Sequence, residues 1–237
     1  NGEIKTLEQQ ISNSIQAPSK MNIKADDLVK KLKNDKKYIS DFKEVFKDEI
    51  KENQENKDYL SFENIQKAIA VYVKTLLTRS SFDEFLEGNN EAISKDAKRG
   101  LVNFMNFGCS GCHTGMSVGG QSVQRFPLRH FAGIHDLRPN LGSPPDFKII
   151  DETFPFENKG GYLGRSDTQF FRVPILRNVT KTSPYFHNGA VDKIREAVEI
   201  MGRHQVGLNL SDQQIDEIVE FLKTLEGNVV DYSKDTK

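Results

Sequence analysis

Both cysteines of this chain lie in one pentapeptide, Cys109-Ser110-Gly111-Cys112-His113. Two thiols spaced in this way and followed directly by an imidazole are the groups that attach haem covalently. Each thiol can add across one porphyrin vinyl group, and His113 can then give a ring nitrogen to the iron. A group fixed so cannot dissociate, which suits a protein moving electrons outside the cytoplasm. Two other chemistries could use the same residues. Structural zinc ordinarily takes four soft ligands, and no second cysteine pair is present to complete the set. A thiol–disulfide switch would follow a strand in a βαβ pattern, which the local sequence does not resemble. Of the three, haem attachment is the reading this spacing favours.

An iron with one histidine has one open face, and what fills it decides the chemistry. Left open, it binds peroxide, oxygen or other small ligands; filled by a second side chain, it mainly moves electrons. The candidates are Met21, Met105, Met116, Met201, His130, His135, His187 and His204. Met105 lies four residues before Cys109 on the same helical stretch, and Met116 follows His113 too closely to reach the opposite face. Met201 stands at the end of a predicted helix, before Gly202. Its alternative is a plain packing role, because Ile194, Val198 and Met201 form an i, i+4, i+7 stripe. A thioether ligand would favour ferrous iron and raise the reduction potential.

The elements that must position these groups are mostly helical. The apolar spacing predicts helices behind Thr6, over Ala25–Leu32 and Tyr38–Phe46, and behind Ser61 with Ile65, Ile69, Val73 and Leu76 on one face. A short helix over Phe82–Leu86 should stop at Gly88. Ser94 should open a helix that runs into the cysteine motif. Residues 114–170 are rich in glycine, proline and polar side chains and read as a long irregular segment, of the kind that packs around a ligand. Val191–Met201 and Ser211–Leu225 read as closing helices, the latter with a Ser211/Gln214 capping box and Gly227 as its stop. The lysine- and asparagine-rich stretch 47–58 reads as a solvated loop, and there is no internal repeat.

The 237 residues suffice for one large or two small domains. A formal net charge of −1 supplies no overall field for nucleic acid or an anionic membrane. No apolar run is long enough to cross a bilayer. The first residue is Asn1 rather than Met, so the chain is expected to be processed or to be a piece of something longer.

The string Phe171-Arg172-Val173-Pro174-Ile175-Leu176-Arg177-Asn178-Val179, followed by Thr182-Ser183-Pro184-Tyr185-Phe186-His187-Asn188-Gly189, resembles the bacterial di-haem cytochrome c peroxidase family. The likeness extends through Glu196-Ala197-Val198, Met201, Gln205 and Gly207, and upstream through Asn64–Thr78, Phe82–Gly88 and Arg99–His113. It implies a mainly α fold: a cytochrome c-like haem domain with long irregular loops, plus the remnant of a second cytochrome c-like domain. The corresponding boundaries are residues 1–80 for the partial peroxide-side domain and 81–237 for the electron-entry domain, with the C-terminal tail returning to the first.

The resemblance also implies site residues and partners. His113 and Met201 match the axial ligands of the electron-entry haem. Thr182 and Pro184 match positions whose backbone carbonyls bind Ca²⁺, and His187 matches a residue lining the space between two haems. Hydrogen peroxide is the implied substrate, a small cytochrome c or cupredoxin the implied electron donor, the periplasm the implied compartment, and a homodimer the implied assembly. No nucleic acid is expected.

Two departures accompany the likeness. The family's first Cys-x-x-Cys-His has no counterpart in these residues, so a second haem c would belong to upstream sequence. Of two peroxide-site positions, Gln10 fits, but Lys20 stands where the family has a glutamate. O–O cleavage needs a group that takes a proton from one oxygen and returns it to the other, and a protonated lysine cannot be the initial base. Two alternatives therefore stand beside the peroxidase: a mono-haem electron-transfer cytochrome, and a relative that oxidises a partner protein.

Overall fold

The computed structural model describes residues 4–48, 58–126, 170–186, 189 and 191–230. The chain divides into two compact units, Thr78–Val229 and Glu3–Leu77, the second joined by residues from Val230 onward.

The smaller unit consists of α1 (Leu7–Gln16), α2 (Ala25–Leu32), α3 (Lys36–Phe46) and α4 (Phe62–Thr75). Short polar side chains start its helices: Thr6 Oγ1 accepts from the Gln9 amide, Asp35 from Lys37 and Ser61 from Asn64. Ile11 and Ile15 on α1 are buried against Ala70 of α4, and Leu7, Ile23, Leu28, Phe62 and Ile69 close around them.

The larger unit contains β1 (Thr78–Ser80), α5 (Ser81–Leu86), α6 (Lys95–Asn106), β2 (Val123–Arg125), β3 (Phe170–Arg172), α7 (Ile194–Met201), α8 (Asp212–Lys223) and β4 (Gly227–Val229). Its centre is the crossing of α6 and α8. Gly100 faces the α8 backbone so closely that a Cβ there would overlap the Glu217 carbonyl and stand 3.0 Å from Phe221 Cβ. That approach lets Phe104, Ile218, Phe221, Leu222 and Leu225 merge into one core with Val118 and Leu176. Each such side chain removed from water contributes about 1.5–3 kcal/mol. Glu217, itself buried, ties the crossing from the side: Arg99 Nε donates to Oε1 at 2.6 Å and Asn103 Nδ2 to Oε2 at 2.8 Å. The Arg99 guanidinium holds that carboxyl below the usual carboxylate range.

Most helix starts agree with the expected caps: Ser94 accepts from Ala97, Ser211 and Gln214 form a reciprocal box, and Gly88 (φ 106°) follows α5. Two expectations are corrected. Gly227 is not the stop of the last helix. That helix ends at Lys223 with Thr224 in right-handed conformation, and Gly227 opens β4, where a Cβ would overlap the Arg79 carbonyl of the paired strand. The helix expected from Val191 begins at Ile194 instead, because the Val191 carbonyl accepts from the Tyr185 amide at 2.6 Å. The four strands were not anticipated; at three residues each they are too short for period-two alternation to register. β1 pairs antiparallel with β4 and β2 with β3.

Candidate functional site

The pentapeptide sits where α6 ends. Phe107 closes the helix, and Gly108, in left-handed conformation at φ 85°, turns the chain into a single 3-10 turn over Cys109–Gly111. The amides of Cys112 and His113 both donate to the Cys109 carbonyl, at 3.2 and 3.0 Å. The two thiols and the imidazole are thus carried on one tight turn anchored to the α6–α8 core. Both cysteines are partly exposed, and Cys109 also packs against that core.

His113 Nδ1 is buried and makes no hydrogen bond of ordinary geometry. Burial pushes the imidazole below the usual histidine range, while the carbonyls of Val118 and Pro174 act weakly in the opposite direction. A neutral imidazole is the form that ligates a metal, and a carbonyl beside Nδ1 is what fixes the proton there and leaves Nε2 as donor. The ring also leans on Phe104, with centroids 6.2 Å apart. These residues fit a covalently held haem: two thiols, a neutral imidazole and an apolar wall.

Met201 is the last residue of α7, where the chain passes into a π-turn over Gly202–Val206 that Gly207 ends at φ 80°. Ile194 and Val198 of the expected stripe pack onto the main core, yet Met201 belongs to none of the three hydrophobic clusters of the described residues and is only half-buried. Met21, Met105 and Met116 are 69%, 49% and 73% exposed, which leaves Met201 as the methionine most withdrawn from solvent.

The segment from His113 to Gly120 is bound to the string around Val173–Arg177 by its backbone. Leu176 N donates to the Ser117 and Val118 carbonyls at 3.2 Å, and Gly120 N to Val173 O at 2.9 Å. Arg177 adds a side chain: Nε donates to the Met116 carbonyl at 2.5 Å, and the two terminal nitrogens grip Asp83 at 2.8 and 2.5 Å. Asp83 is meanwhile the capping-box residue of α5, accepting from Ser80 N at 2.8 Å and Ser80 Oγ at 2.9 Å. Burial alone would raise the Asp83 pKa; the Arg177 and Ser80 hydrogen bonds outweigh it and hold the carboxyl at about 2, against an ordinary 3.8. A depressed folded value means the charged form is the stabilised one. Its contribution is complete above the ordinary pKa and is lost as pH falls through the folded one. Urea midpoints measured against pH should therefore show Asp83→Asn less stable than wild type at pH 7, with the two profiles converging below pH 4; parallel profiles would remove the pair from the account of acid stability.

The remaining expected residues are dispersed. Thr182 and Pro184 are exposed and flank Ser183, whose hydroxyl donates to the Asp192 carbonyl at 2.8 Å. No group of three or more His, Cys, Asp or Glu side chains converges among the described residues. Gln10 lies exposed on α1 in the smaller unit, its amide 3.4 Å from Ser14 Oγ, and Lys20 is exposed in the turn that follows. His130, His135, His187 and the side chain of His204 lie outside the described residues. Sequence reasoning missed Arg177 and Asp83 as parts of the site's frame, and also Gly119, whose φ of 137° brings it so close that a Cβ would overlap the Pro174 carbonyl.

A model of the family described as di-haem cytochrome c peroxidase matches residues 1–91. Cytochrome c551 peroxidase of Pseudomonas aeruginosa is 34% identical over 231 residues, covering 96% of this chain and 60% of the relative. The enzyme of the same name from Nitrosomonas europaea is 32% identical over 240 residues, covering 98% and 62%. Over nearly its whole length the chain is similar to di-haem cytochrome c peroxidases. A crystal structure of a MauG-like protein associated with microbial copper homeostasis shares the fold, with a TM-score of 0.68 at 20% identity over 96% of this chain and 70% of that one. The mainly helical, cytochrome c-like architecture expected from the sequence is therefore the one observed. The chain spans about 60% of the length of these two curated relatives. No helix among its described residues is long and apolar enough to cross a membrane.

Proposed function

We propose that this chain is the electron-entry part of a periplasmic di-haem cytochrome c peroxidase, in which Cys109 and Cys112 would hold one haem c and His113 and Met201 would ligate its iron. Bound there, the haem supplies a one-electron ferric/ferrous couple. Cys109 and Cys112 anchor the group through sulfur, so its retention does not depend on the iron's ligands. His113 presents a neutral ring nitrogen, and Met201 a soft thioether that favours the ferrous state. A small donor protein, a cytochrome c or cupredoxin, would deliver electrons to the group held here, for the two-electron, two-proton reduction of hydrogen peroxide to water at a second haem c that these residues do not hold. Thr182 and Pro184 are proposed to offer carbonyls to Ca²⁺, and Gln10 and His187 to line the peroxide side.

The observation that carries this reading is His113: a buried ring directly after two thiols on one turn, its Nδ1 without a full hydrogen bond, in a chain similar to this family. The chain has two cysteines in all, so a preparation of these residues matured with haem-attachment machinery should carry one covalent haem by pyridine haemochrome assay. It should also accept electrons from a reduced donor without turning over peroxide. Absence of covalent pigment would defeat the proposal. Peroxide turnover by this chain alone would place the reducing site within it and defeat the division of labour.

A further inference from the structure

We propose that Arg177, locked by Asp83, is a positioning residue for His113: it pins the loop over residues 114–120 that forms the imidazole's surroundings and so tunes the potential of the group His113 ligates. The inference rests on the reading of His113 as an iron ligand.

The burial of Arg177 sets it apart from the other ion-paired arginines of the described residues. Its side chain is 14% exposed, while those of Arg79, Arg99, Arg195 and Arg203 are 39–53% exposed. A guanidinium taken out of water is costly unless its donors are met in good geometry. Here Asp83 takes both terminal nitrogens, with the Thr78 carbonyl at 3.3 Å and Ser80 Oγ at 3.4 Å beside them. Held on that side, the guanidinium points its remaining donor, Nε, at the Met116 carbonyl. Leu176, the preceding residue, binds the next two carbonyls of the loop. Two consecutive residues thus grip three consecutive carbonyls.

The loop needs such a grip. Val118 is a buried β-branched residue at φ 50°, in the left-handed region that its side chain disfavours. A conformation of this kind costs on the order of 1–3 kcal/mol and persists only when its surroundings impose it. The loop closes back on the residue next to His113, through Gly119 N to Thr114 O at 2.8 Å. In the same place His113 Nδ1 is buried with no full hydrogen bond. The Val118 and Pro174 carbonyls are the backbone acceptors that face the imidazole, so a shift of the loop that carries Val118 changes how strongly the ring proton is held. An acceptor at Nδ1 makes the ring a stronger donor and favours ferric iron, so releasing the loop should raise the potential.

The test uses the full chain with its haem attached. Arg177→Gln should keep the wild-type haem-to-protein ratio, because the thioethers do not involve the loop. Its midpoint potential should rise, by up to about tenfold in the ferrous-to-ferric ratio, a magnitude drawn from partners that orient metal-binding histidines. Tenfold corresponds to about 59 mV for a one-electron couple. Amide exchange should quicken at Gly119 and Gly120. Arg195→Gln, which breaks the exposed pairs with Asp212 and Asp216, should leave potential and exchange unchanged. A haem-replete Arg177→Gln protein with the wild-type potential would overturn the proposal. Should that variant not accumulate, Asp83→Asn decides in its place: it keeps the Nε donor but frees the guanidinium, so a smaller rise supports the proposal and no rise overturns it. Wild-type protein without covalent haem would overturn the inference together with the haem reading, and the haem-to-protein ratio identifies that case.

Discussion

Gly100→Ala is expected to destabilise the larger unit by about 3 kcal/mol or more, at the upper end of what overpacking costs. The added methyl has nowhere to go, since it would coincide with the backbone carbonyl of Glu217 rather than the end of a flexible side chain. α6 and α8 would have to separate, and with them the contacts of Phe104 and Phe221, whose ring centroids are 5.2 Å apart. Because α6 leads directly into the Cys109 turn, haem incorporation should fall in parallel. Thermal unfolding monitored by circular dichroism would check this. A melting temperature within a degree or two of wild type would mean that the two helices do not cross as tightly as described.

Met201→Ala is expected to lower the haem potential on the order of 100 mV or more, given the range over which axial ligands set it. It should also open the iron to added imidazole or carbon monoxide. The competing role for Met201 is packing, and the two predict different things. Truncating a buried methionine that only fills space costs roughly 2–5 kcal/mol and leaves the potential alone. Redox titration of Met201→Ala beside Met105→Leu, an exposed position that should change nothing, separates them. An unchanged potential in Met201→Ala would remove it from the iron.

The parts legible in the sequence are those whose determinants are neighbours along the chain. Covalent haem attachment requires contiguous residues, so Cys109–His113 could be read at once. Helix caps act over three residues, so Thr6, Ser61, Ser94 and Ser211 were found where the structure has them. The parts that were not legible depend on distant partners. Gly100 is an unfavourable residue within a helix until α8, over a hundred positions later, is laid across it. Gly227 looks like a helix stop by position, yet the strand opposite, 147 positions earlier at Ser80, is what requires a glycine there. Arg177 meets Met116 and Asp83 from 61 and 94 residues away. Nothing in its own segment marks it as other than a surface cation. The Ile194, Val198, Met201 stripe announced packing, and only the hydrophobic clusters reveal that its third member stands apart from the other two.

The antiparallel pairing of Thr78–Ser80 with Gly227–Val229 has a topological meaning. It fastens the entrance and the exit of the haem-motif unit side by side, their Cα atoms within about 5.5 Å as in any such ladder. The chain thus departs from its host at Leu77 and rejoins it at Val230, whose amide donates to the Leu77 carbonyl at 2.9 Å. The stretch Thr78–Val229 is thereby closed into a loop whose two ends are held by one short ladder.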